Sequence, residues 1–503
     1  MKEISIEAVP RPGNNALPDE KKRLFMMFLP VLVAVLLLLV PVPAGLQSHA
    51  WHFFAIFVAV IVGLIFEALP GAVVGLTGVV VIALGGQWLL FSPAQMSVPT
   101  FRLATQSFEW AVSGFGNSTV WLIFGAFMFA AGYDKTQLGR RMALILVKHL
   151  GRRSLTLGYA ITFADLLLAP FTPSNTARSG GTIYPIIANL PPLYGSKPND
   201  PSARKIGSYL MWVAITAACI TSSMFLSALA PNLLALELVK SIVGIDISWG
   251  GWFIAFLPLG VLLILTMPLL AYWFYPPEVK INDEVPRWAS RELEKLGKLS
   301  RKEILLLVFV CCALVMWIFA ADWIEPALAA LLVITLMLWS GVLAWSDITG
   351  NKAAWNTFVW FATLVALADG LSSTGFIGWL GKEGGALMVG IPPVRASIML
   401  LVAFFLLHYL FASTTAHTTA LLPAMLTIAA TIPGIDMKVF CLMMVTSMGI
   451  MGIITPYGTG PSPIYYGSGY LPTADYWRLG TIFGAIFLAA LLLIGYPWMA
   501  MMF

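Results

Sequence analysis

Long apolar runs separated by short polar segments make up this sequence from about residue 24 onward. Runs of about 18 residues recur, and a helix of that length crosses a hydrocarbon core about 30 Å thick. The pattern predicts an all-α polytopic membrane protein. About 11 transmembrane helices are predicted, near residues 24–42, 52–70, 72–92, 118–133, 207–228, 251–274, 303–320, 326–345, 355–371, 438–455 and 477–499.

Two further apolar stretches do not fit as simple crossings. The first, near residues 155–190, is interrupted by APFTPSNTARSGG, and the second, near 396–430, contains FASTTAHTTALLP. A full crossing at the first stretch would place the basic loop 195–205 on the outer side, against the positive-inside rule. We therefore predict two re-entrant helical hairpins, the first entering from the cytoplasm and the second from the outer side.

The charged segments predict how the chain is organised. A cytoplasmic tail (1–23) precedes a first transmembrane half (24–275), a cytoplasmic linker (276–302) and a second half (303–503). The tail ends in Lys21-Lys22-Arg23, and no cleavable signal peptide is recognisable. We expect a multi-pass protein of the bacterial inner membrane, with its N-terminus in the cytoplasm and its C-terminus in the periplasm.

The two halves resemble each other. Each has a hairpin tip, Ser174-Asn175-Thr176 and Ser413-Thr414-Thr415, and each has a later helix interrupted by small residues and proline. Because the hairpins open to opposite sides, the repeats are inverted. Inverted repeats with discontinuous helices are typical of secondary transporters, whose binding site lies between the repeats near the membrane midplane.

A hairpin tip at membrane depth suits the binding of an anion. Its free N–H groups and the positive end of a helix dipole favour negative charge. Hydroxyls on Ser174, Thr176, Ser413 and Thr415 and the amide of Asn175 add donors. Two facing tips would bind a small molecule with a carboxylate at each end. The alternative is that the serine and threonine residues only cap the returning helices.

Composition narrows the classes of function. Hydrophobic residues make up 59% of the chain and charged residues 11%, against about 25% charged in a typical soluble domain. The net charge of +5 arises from basic residues in short loops, so no nucleic-acid partner is expected. The four cysteines lie in apolar stretches, and we find no metal or cofactor motif and no nucleotide-binding loop with a lysine. We expect a carrier in the lipid bilayer rather than an enzyme.

Four long motifs resemble the divalent anion:sodium symporter family, and within it the bacterial citrate/succinate and tartrate/succinate antiporters. They are PFTPSNTARSGGTIYPII, NLPPLYGSKPNDPSAR, FASTTAHTTALLP and ITPYGTGPSPIYYGSGYLPTADYWRLG. The resemblance implies a homodimer of the elevator type that exchanges di- and tricarboxylates, such as citrate or tartrate against succinate. It also implies that the tips and the adjacent helix breaks bind the substrate, and in sodium-coupled members also Na⁺.

Carried over residue by residue, the resemblance assigns substrate contacts to both tips and both helix breaks. Ser174, Asn175 and Thr176 match the first motif, and Asn232 is retained at the first break. Ser174, Asn175 and Asn232 would supply ligands if Na⁺ binds. In the second half Ser413 and Thr415 match, but Thr414 replaces an asparagine, and the break reads Thr459-Gly460-Pro461 without one. This departure favours exchange of anions over sodium coupling.

Arg178 and His417 each lie four residues after the first serine of a tip. Ionisable residues at membrane depth are usually functional. Arg178 would bind a carboxylate or form a structural pair, and His417 would sense substrate protonation or be buried inside the hairpin. A Na⁺-coupled dicarboxylate symporter is the main alternative function. An integral-membrane hydrolase built on Ser174, His417 and an acid, and a channel, are further alternatives.

Overall fold

The computed structural model describes residues 20–66, 68–386 and 390–503, so residues 1–19 of the predicted cytoplasmic tail lie outside it. Over that part of the chain the regular structure is helical, and the prediction of an all-α protein is confirmed. The first half comprises α1 (Glu20–Leu39), α2 (Ser48–Phe66), α3 (Gly71–Leu84), α4 (Gly86–Leu89), α5 (Pro93–Met96), α6 (Leu103–Ser113), α7 (Ser118–Thr136), α8 (Leu138–Leu150), α9 (Ser154–Leu168), α10 (Tyr184–Ile187), α11 (Gly207–Met224), α12 (Ala230–Val243) and α13 (Trp249–Phe274).

A surface helix with mixed charges, α14 (Glu284–Leu296), leads to the second half. The capping box of Ser300 and Glu303 starts the next helix, as expected for this sequence pattern. The helices of this half are α15 (Arg301–Phe319), α16 (Pro326–Trp339), α17 (Trp345–Thr349), α18 (Lys352–Ser373), α19 (Phe376–Ala386), α20 (Pro393–Leu407), α21 (Thr414–Ala430), α22 (Met437–Ile450), α23 (Ser462–Gly467), α24 (Thr473–Ala490) and α25 (Tyr496–Met502).

Eight helices in the described residues are long and apolar enough to cross a membrane, and the bent pair of α6 and α7 can supply a ninth. Four shorter apolar helices overlap further predicted crossings. Each predicted crossing overlaps one of these helices. Two of the eight, Ser154–Phe171 and Pro393–Leu410, are the entering arms of the hairpins. Length and composition alone therefore do not separate a crossing from a re-entrant arm.

The first hairpin enters and leaves at the same end of the molecule. Its entering arm starts at Ser154, whose backbone N–H donates to Lys280 O at 2.9 Å. Its return arm ends near Leu193, whose carbonyl accepts from Asn282 Nδ2 at 2.9 Å. Because Lys280 and Asn282 belong to one short segment, both ends of the hairpin lie beside it.

The second hairpin closes in the same way at the opposite end. A β-carbon on Gly434, after the return arm, would lie 3.0 Å from Pro393, where the entering arm starts. Lys438, four residues on, places its Nζ 5.2 Å from the ring centroid of Phe503. The same ring lies beside Gly251 at the start of α13.

Helix α13 separates the two openings. It has 26 residues and is therefore about 39 Å long. Its start neighbours the second hairpin, whereas the segment after its end neighbours the first, where Glu278 N donates to Arg204 O at 3.0 Å. The hairpins thus open at opposite ends of the molecule, as inverted repeats require.

The junction between α8 and the linker holds a buried ion pair. Arg141 Nε lies 2.6 Å from Glu303 Oε1, and Arg141 Nη1 donates to Gly297 O at 2.9 Å. This pair ties the end of the linker to the first half.

Cysteine labelling tests the opposed openings. Lys197 lies in the exposed loop after the first hairpin, and Lys382 is exposed on α19, which packs against the C-terminal part of α21. We expect Lys197→Cys and Lys382→Cys, each in a cysteine-free background, to react with an impermeant maleimide from opposite sides of sealed vesicles. Labelling of both from one side would contradict the inverted arrangement.

Candidate functional site

The first tip is a polar turn between a 3₁₀ turn at Ala169–Phe171 and a π-helical return segment at Thr176–Ile183. Ser174 Oγ accepts from the backbone N–H of Ala177 at 3.2 Å. A serine hydroxyl that accepts in this way still has its own proton to donate. Ser174 can therefore cap the return segment and bind an anion at the same time.

The first tip docks on the second helix break, so the two halves meet here. Asn175 Nδ2 donates to Thr459 Oγ1 at 2.6 Å, and both residues are buried. A β-carbon on Gly460 would lie 1.7 Å from Thr176 Oγ1. Only glycine permits this approach between the backbone of the break and the tip.

The second tip is joined to the same break. Ser413 Oγ accepts from the backbone N–H of Ala416 at 3.4 Å and so caps α21. Thr414 Oγ1 donates to Gly458 O at 3.3 Å, and His408 Nε2 is 2.6 Å from the same carbonyl. Residues of both tips thus converge on residues 458–461, directly before α23.

A cavity of about 550 Å³ exposes the second tip. Ser413 and Thr415 form one wall, and Asn356, Thr357 and Trp360 on α18 face them, with the corner between α2 and α3 completing the lining. This volume lies within the usual range for small-molecule sites, about 300–1,000 Å³. The hydroxyls of the second tip are therefore accessible from this cavity.

The cavity lies at the end of the molecule where the first hairpin opens. Helix α18 starts after α17, whose Asp347 pairs with Lys135 at the end of α7. Just beyond, Arg140 Nη2 lies 2.9 Å from Glu292 Oε2 in the linker helix. The second hairpin therefore enters the molecule from the opposite end, but its tip is exposed to the cavity at the linker end.

Near the other end, hydrogen bonds join α12 to its neighbours. Thr119 Oγ1 on α7 donates to Glu237 Oε2 at 3.1 Å, and Ser372 Oγ on α18 donates to Ser241 O at 3.4 Å. The cavity thus opens at the linker end, whereas these hydrogen bonds join α12 to α7 and α18 near the other end.

Arg178 is committed to protein partners. Its side chain is fully buried, and its Nε lies 3.1 Å from Asp165 Oδ2. Nη1 donates to Thr172 O at 3.2 Å and Ala228 O at 2.9 Å, and Nη2 to the hydroxyls of Thr221 and Ser222. These bonds occupy all five guanidinium donors and link the first tip to the first helix break. The geometry corresponds to the structural alternative for this arginine.

Asn232 and Pro461 stand at the starts of the helices that follow the two breaks. Asn232 Nδ2 donates to Ser222 O at 2.7 Å and Phe225 O at 3.3 Å. Its Oδ1 is buried with no hydrogen-bond partner among the described residues. Pro461 precedes α23, where it cannot leave an unsatisfied N–H.

His417 lies inside the second hairpin and away from both tips' hydroxyls. Its ring centroid is 4.3 Å from that of Phe404, 5.0 Å from His408 and 5.1 Å from Phe411. Neither ring nitrogen makes a hydrogen bond to another described residue. Among the described residues His417 therefore forms no hydrogen bond with Ser174. The hydrolase alternative requires this bond, because His417 would be its catalytic base.

Two residues of the site escaped the sequence reasoning. In the sequence His408 stands at the end of an apolar arm and has no polar motif around it. Gly460 stands within the second helix break, where its sequence neighbours do not reveal a contact with the first tip. The available signals were a histidine within an apolar run and a glycine next to proline. Their partners, Gly458 and Thr176, lie too far away along the chain for spacing to predict the contacts.

A double-mutant cycle tests the role of Arg178. Arg178→Met leaves the buried Asp165 carboxylate without its counter-charge, and we expect it to cost about 3–5 kcal/mol of stability. Adding Asp165→Asn should restore much of the melting temperature of the protein purified in detergent. If Arg178→Met melts like the wild type but no longer binds carboxylates, the arginine contacts substrate instead.

Known proteins with similar sequences cover nearly the whole chain. L-tartrate/succinate antiporters of Shigella sonnei (strain Ss046), Escherichia coli O157:H7 and Escherichia coli (strain K12) are each 55% identical over 470 residues, which is 93% of this chain and 96% of the relative. In the solved Alcanivorax borkumensis YdaH transporter, whose topology is described as unusual, the fold is similar with a TM-score of 0.57 at 13% identity. The match covers 86% of this chain and 97% of that one.

The pattern of two hairpin tips and two broken helices agrees with these similarities. The family described as the sodium:sulfate symporter transmembrane region matches residues 21–503. The chain is therefore a membrane transporter and belongs to the sodium:sulfate symporter family.

Proposed function

We propose that this protein exchanges L-tartrate, or a related di- or tricarboxylate such as citrate, for succinate across the membrane. The observation that carries the proposal is the convergence of both hairpin tips on the second helix break, beside a cavity that exposes Ser413 and Thr415. The 55% identical L-tartrate/succinate antiporters support tartrate and succinate as the pair.

The substrate carboxylates are bound by donors that the fold leaves free. Ser174 and Ser413 accept from backbone N–H groups, so each hydroxyl proton points elsewhere. Thr415 lines the cavity, and the N-termini of the return segments add partial positive charge. With such donors at both tips, a molecule with a carboxylate at each end is bound better than a monocarboxylate.

Two basic side chains donate to backbone carbonyls at the tips and helix breaks. Unwound backbone carbonyls commonly coordinate Na⁺ in secondary transporters. Here Arg178 donates to Thr172 O and Ala228 O, and His408 donates to Gly458 O. The carbonyls at both breaks thus already have protein donors, which supports transport without Na⁺.

The same contacts support obligatory exchange. The charge of Arg178 is neutralised by Asp165, so an empty site presents unpaired hydroxyl and N–H donors rather than a net charge. Unsatisfied polar groups in a low-dielectric interior cost several kcal/mol each. A bound dicarboxylate satisfies these donors, so the loaded carrier reorients more readily than the empty one.

A Na⁺-coupled symporter is the second candidate. Asn232 Oδ1 is buried without a partner in the described structure and could ligate a cation together with Ser174 and Asn175. The free oxygen of Asn232 supports Na⁺ binding, whereas the bonds from Arg178 and His408 to the carbonyls at the two breaks oppose it.

For the setting of the protein we propose the bacterial inner membrane, with the N-terminus in the cytoplasm and the C-terminus in the periplasm. The basic loops at the linker end, including Lys197, Arg152 and Arg153, support this orientation. We further propose a homodimer whose hairpins move as an elevator, as the family resemblance implies. The cavity then faces the cytoplasm.

Counterflow in proteoliposomes tests the function. We expect labelled L-tartrate to enter only when succinate or another dicarboxylate is loaded inside, because the empty carrier reorients poorly. Replacing Na⁺ by K⁺ should change the rate less than twofold. Strong stimulation by Na⁺ without an internal anion would favour the symporter, and no uptake of any dicarboxylate would exclude both.

Site variants test the two tips. Asn175→Ala removes the bond to Thr459, Thr415→Ala removes a cavity hydroxyl, and Gly460→Ala forces a β-carbon against Thr176. Each should lower the exchange rate at least about tenfold, the effect of losing roughly 1.4 kcal/mol of binding.

Thr481→Ala is the matched control, because the exposed Thr481 hydroxyl bonds only to Trp477 O in its own helix. It should exchange at the wild-type rate. Wild-type rates in Asn175→Ala and Thr415→Ala, with normal amounts of folded protein, would refute the two-tip site.

A further inference from the structure

Three cations surround two tyrosines at the linker end of α13. Lys280 Nζ lies 4.3 Å from the ring centroid of Tyr272. The guanidinium of Arg204 lies 3.6 Å from the centroid of Tyr275, and that of Arg478 lies 5.9 Å from the same ring. The rings attract these cations, so positive charge is held at this end of the helix.

An apolar groove of about 510 Å³ adjoins the cations, and it is lined by Leu269, Leu270, Tyr272, Trp273 and Pro276. Trp273 is 74% exposed, and the exposed Leu265 and Leu269 extend the apolar surface along α13 towards the middle of the molecule. An exposed tryptophan at the end of a spanning helix is typical of the membrane interface. The groove is therefore placed to hold acyl chains.

A second cavity of about 640 Å³ adjoins Arg204, and polar side chains, including those of Asp200 and Asp475, form part of its lining. Arg204 lines this cavity, and its Nη2 donates to the carbonyl of Pro276, which borders the apolar groove, at 3.1 Å. A polar compartment and an apolar compartment thus adjoin at one arginine. This division matches the headgroup and the acyl chains of a phospholipid.

We propose that this end of α13 is a binding site for one anionic phospholipid. Its phosphate contacts the cations held over Tyr272 and Tyr275, and its acyl chains lie along Leu265, Leu269 and Trp273. The site is separate from the hairpin tips and does not depend on which carboxylates are exchanged.

The geometry favours a phosphate over a zwitterionic choline headgroup. The Arg204 guanidinium lies over the Tyr275 ring and donates one Nη2 bond to Pro276 O, and a phosphate is bound through the remaining N–H donors. The nearby Asp475 carboxylate is already engaged by the Tyr275 hydroxyl at 2.6 Å and by Arg478 at 3.3 Å.

Two other acids border the region and bring the carboxylates to three, equal in number to the cations, but among the described residues only Arg478 of these cations forms an ion pair. Hydrogen bonds from the Ser202 hydroxyl and backbone hold the pKa of Asp200 below its usual value, so this carboxylate stays ionised and bound to its own turn. Glu278 is exposed beside the groove. A phosphate would therefore approach from the Lys280 and Arg478 side.

Native mass spectrometry of the purified full chain tests the site. In neutral detergent, with phosphatidylglycerol and phosphatidylcholine at equal concentration, we expect one phosphatidylglycerol to bind in preference and to raise the melting temperature. Lys280→Gln with Arg478→Gln should reduce that preference roughly 25-fold, about fivefold for each cation removed near an anionic headgroup.

The matched control, Lys298→Gln with Arg301→Gln, removes two positive charges from the linker and should keep the preference for phosphatidylglycerol. Trp273→Ser should weaken the binding of both lipids. Equal binding of the two lipids to the wild type, or an unchanged preference in Lys280→Gln with Arg478→Gln, would overturn the proposal. So would equal stabilisation by glycerol 3-phosphate, because the site would then bind soluble anions. None of these readouts requires transport, so they are independent of the exchange function.

Discussion

Every interruption of a helix at membrane depth must have its backbone groups satisfied by the protein itself or by substrate. This chain has two hairpin tips and two helix breaks, and side chains donate hydrogen bonds to backbone carbonyls at them. Arg178 donates to carbonyls of the first tip and the first break. Asn232 donates to the carbonyls before α12, and His408 donates to the carbonyl of Gly458. The donors that remain free are the ones available to an anion.

This constraint also interlocks the halves. Arg178 ties the first tip to the first break within one half, whereas Asn175 and Thr176 dock that tip on the second break. The close approach needs Gly460, where any side chain would meet the Thr176 hydroxyl. As a result, residues of both repeats meet at one candidate site.

The empty site carries no net charge. The buried Arg178 and Asp165 neutralise each other, and the second half uses a histidine in hydrogen-bond contact with a carbonyl. Attraction for a dicarboxylate then rests on hydroxyls, N–H groups and helix N-termini, which are costly to leave unpaired. The polar groups that hold the breaks in shape therefore also favour exchange over net transport.

The sequence by itself determined the helical class, the position of nearly every crossing, the two hairpins and the polar tips. These features follow from the length of apolar runs and from local breaks at proline and small residues, which are properties of neighbouring residues. Spacing alone could not assign roles to Arg178 and His417, which looked equivalent four residues after their tips. The tertiary structure surrounds Arg178 with Asp165 and two carbonyls, and it surrounds His417 with aromatic rings. It also brings His408 and Gly460 into the site. Those outcomes depend on packing between segments that are distant in the sequence, so only the folded chain decided them.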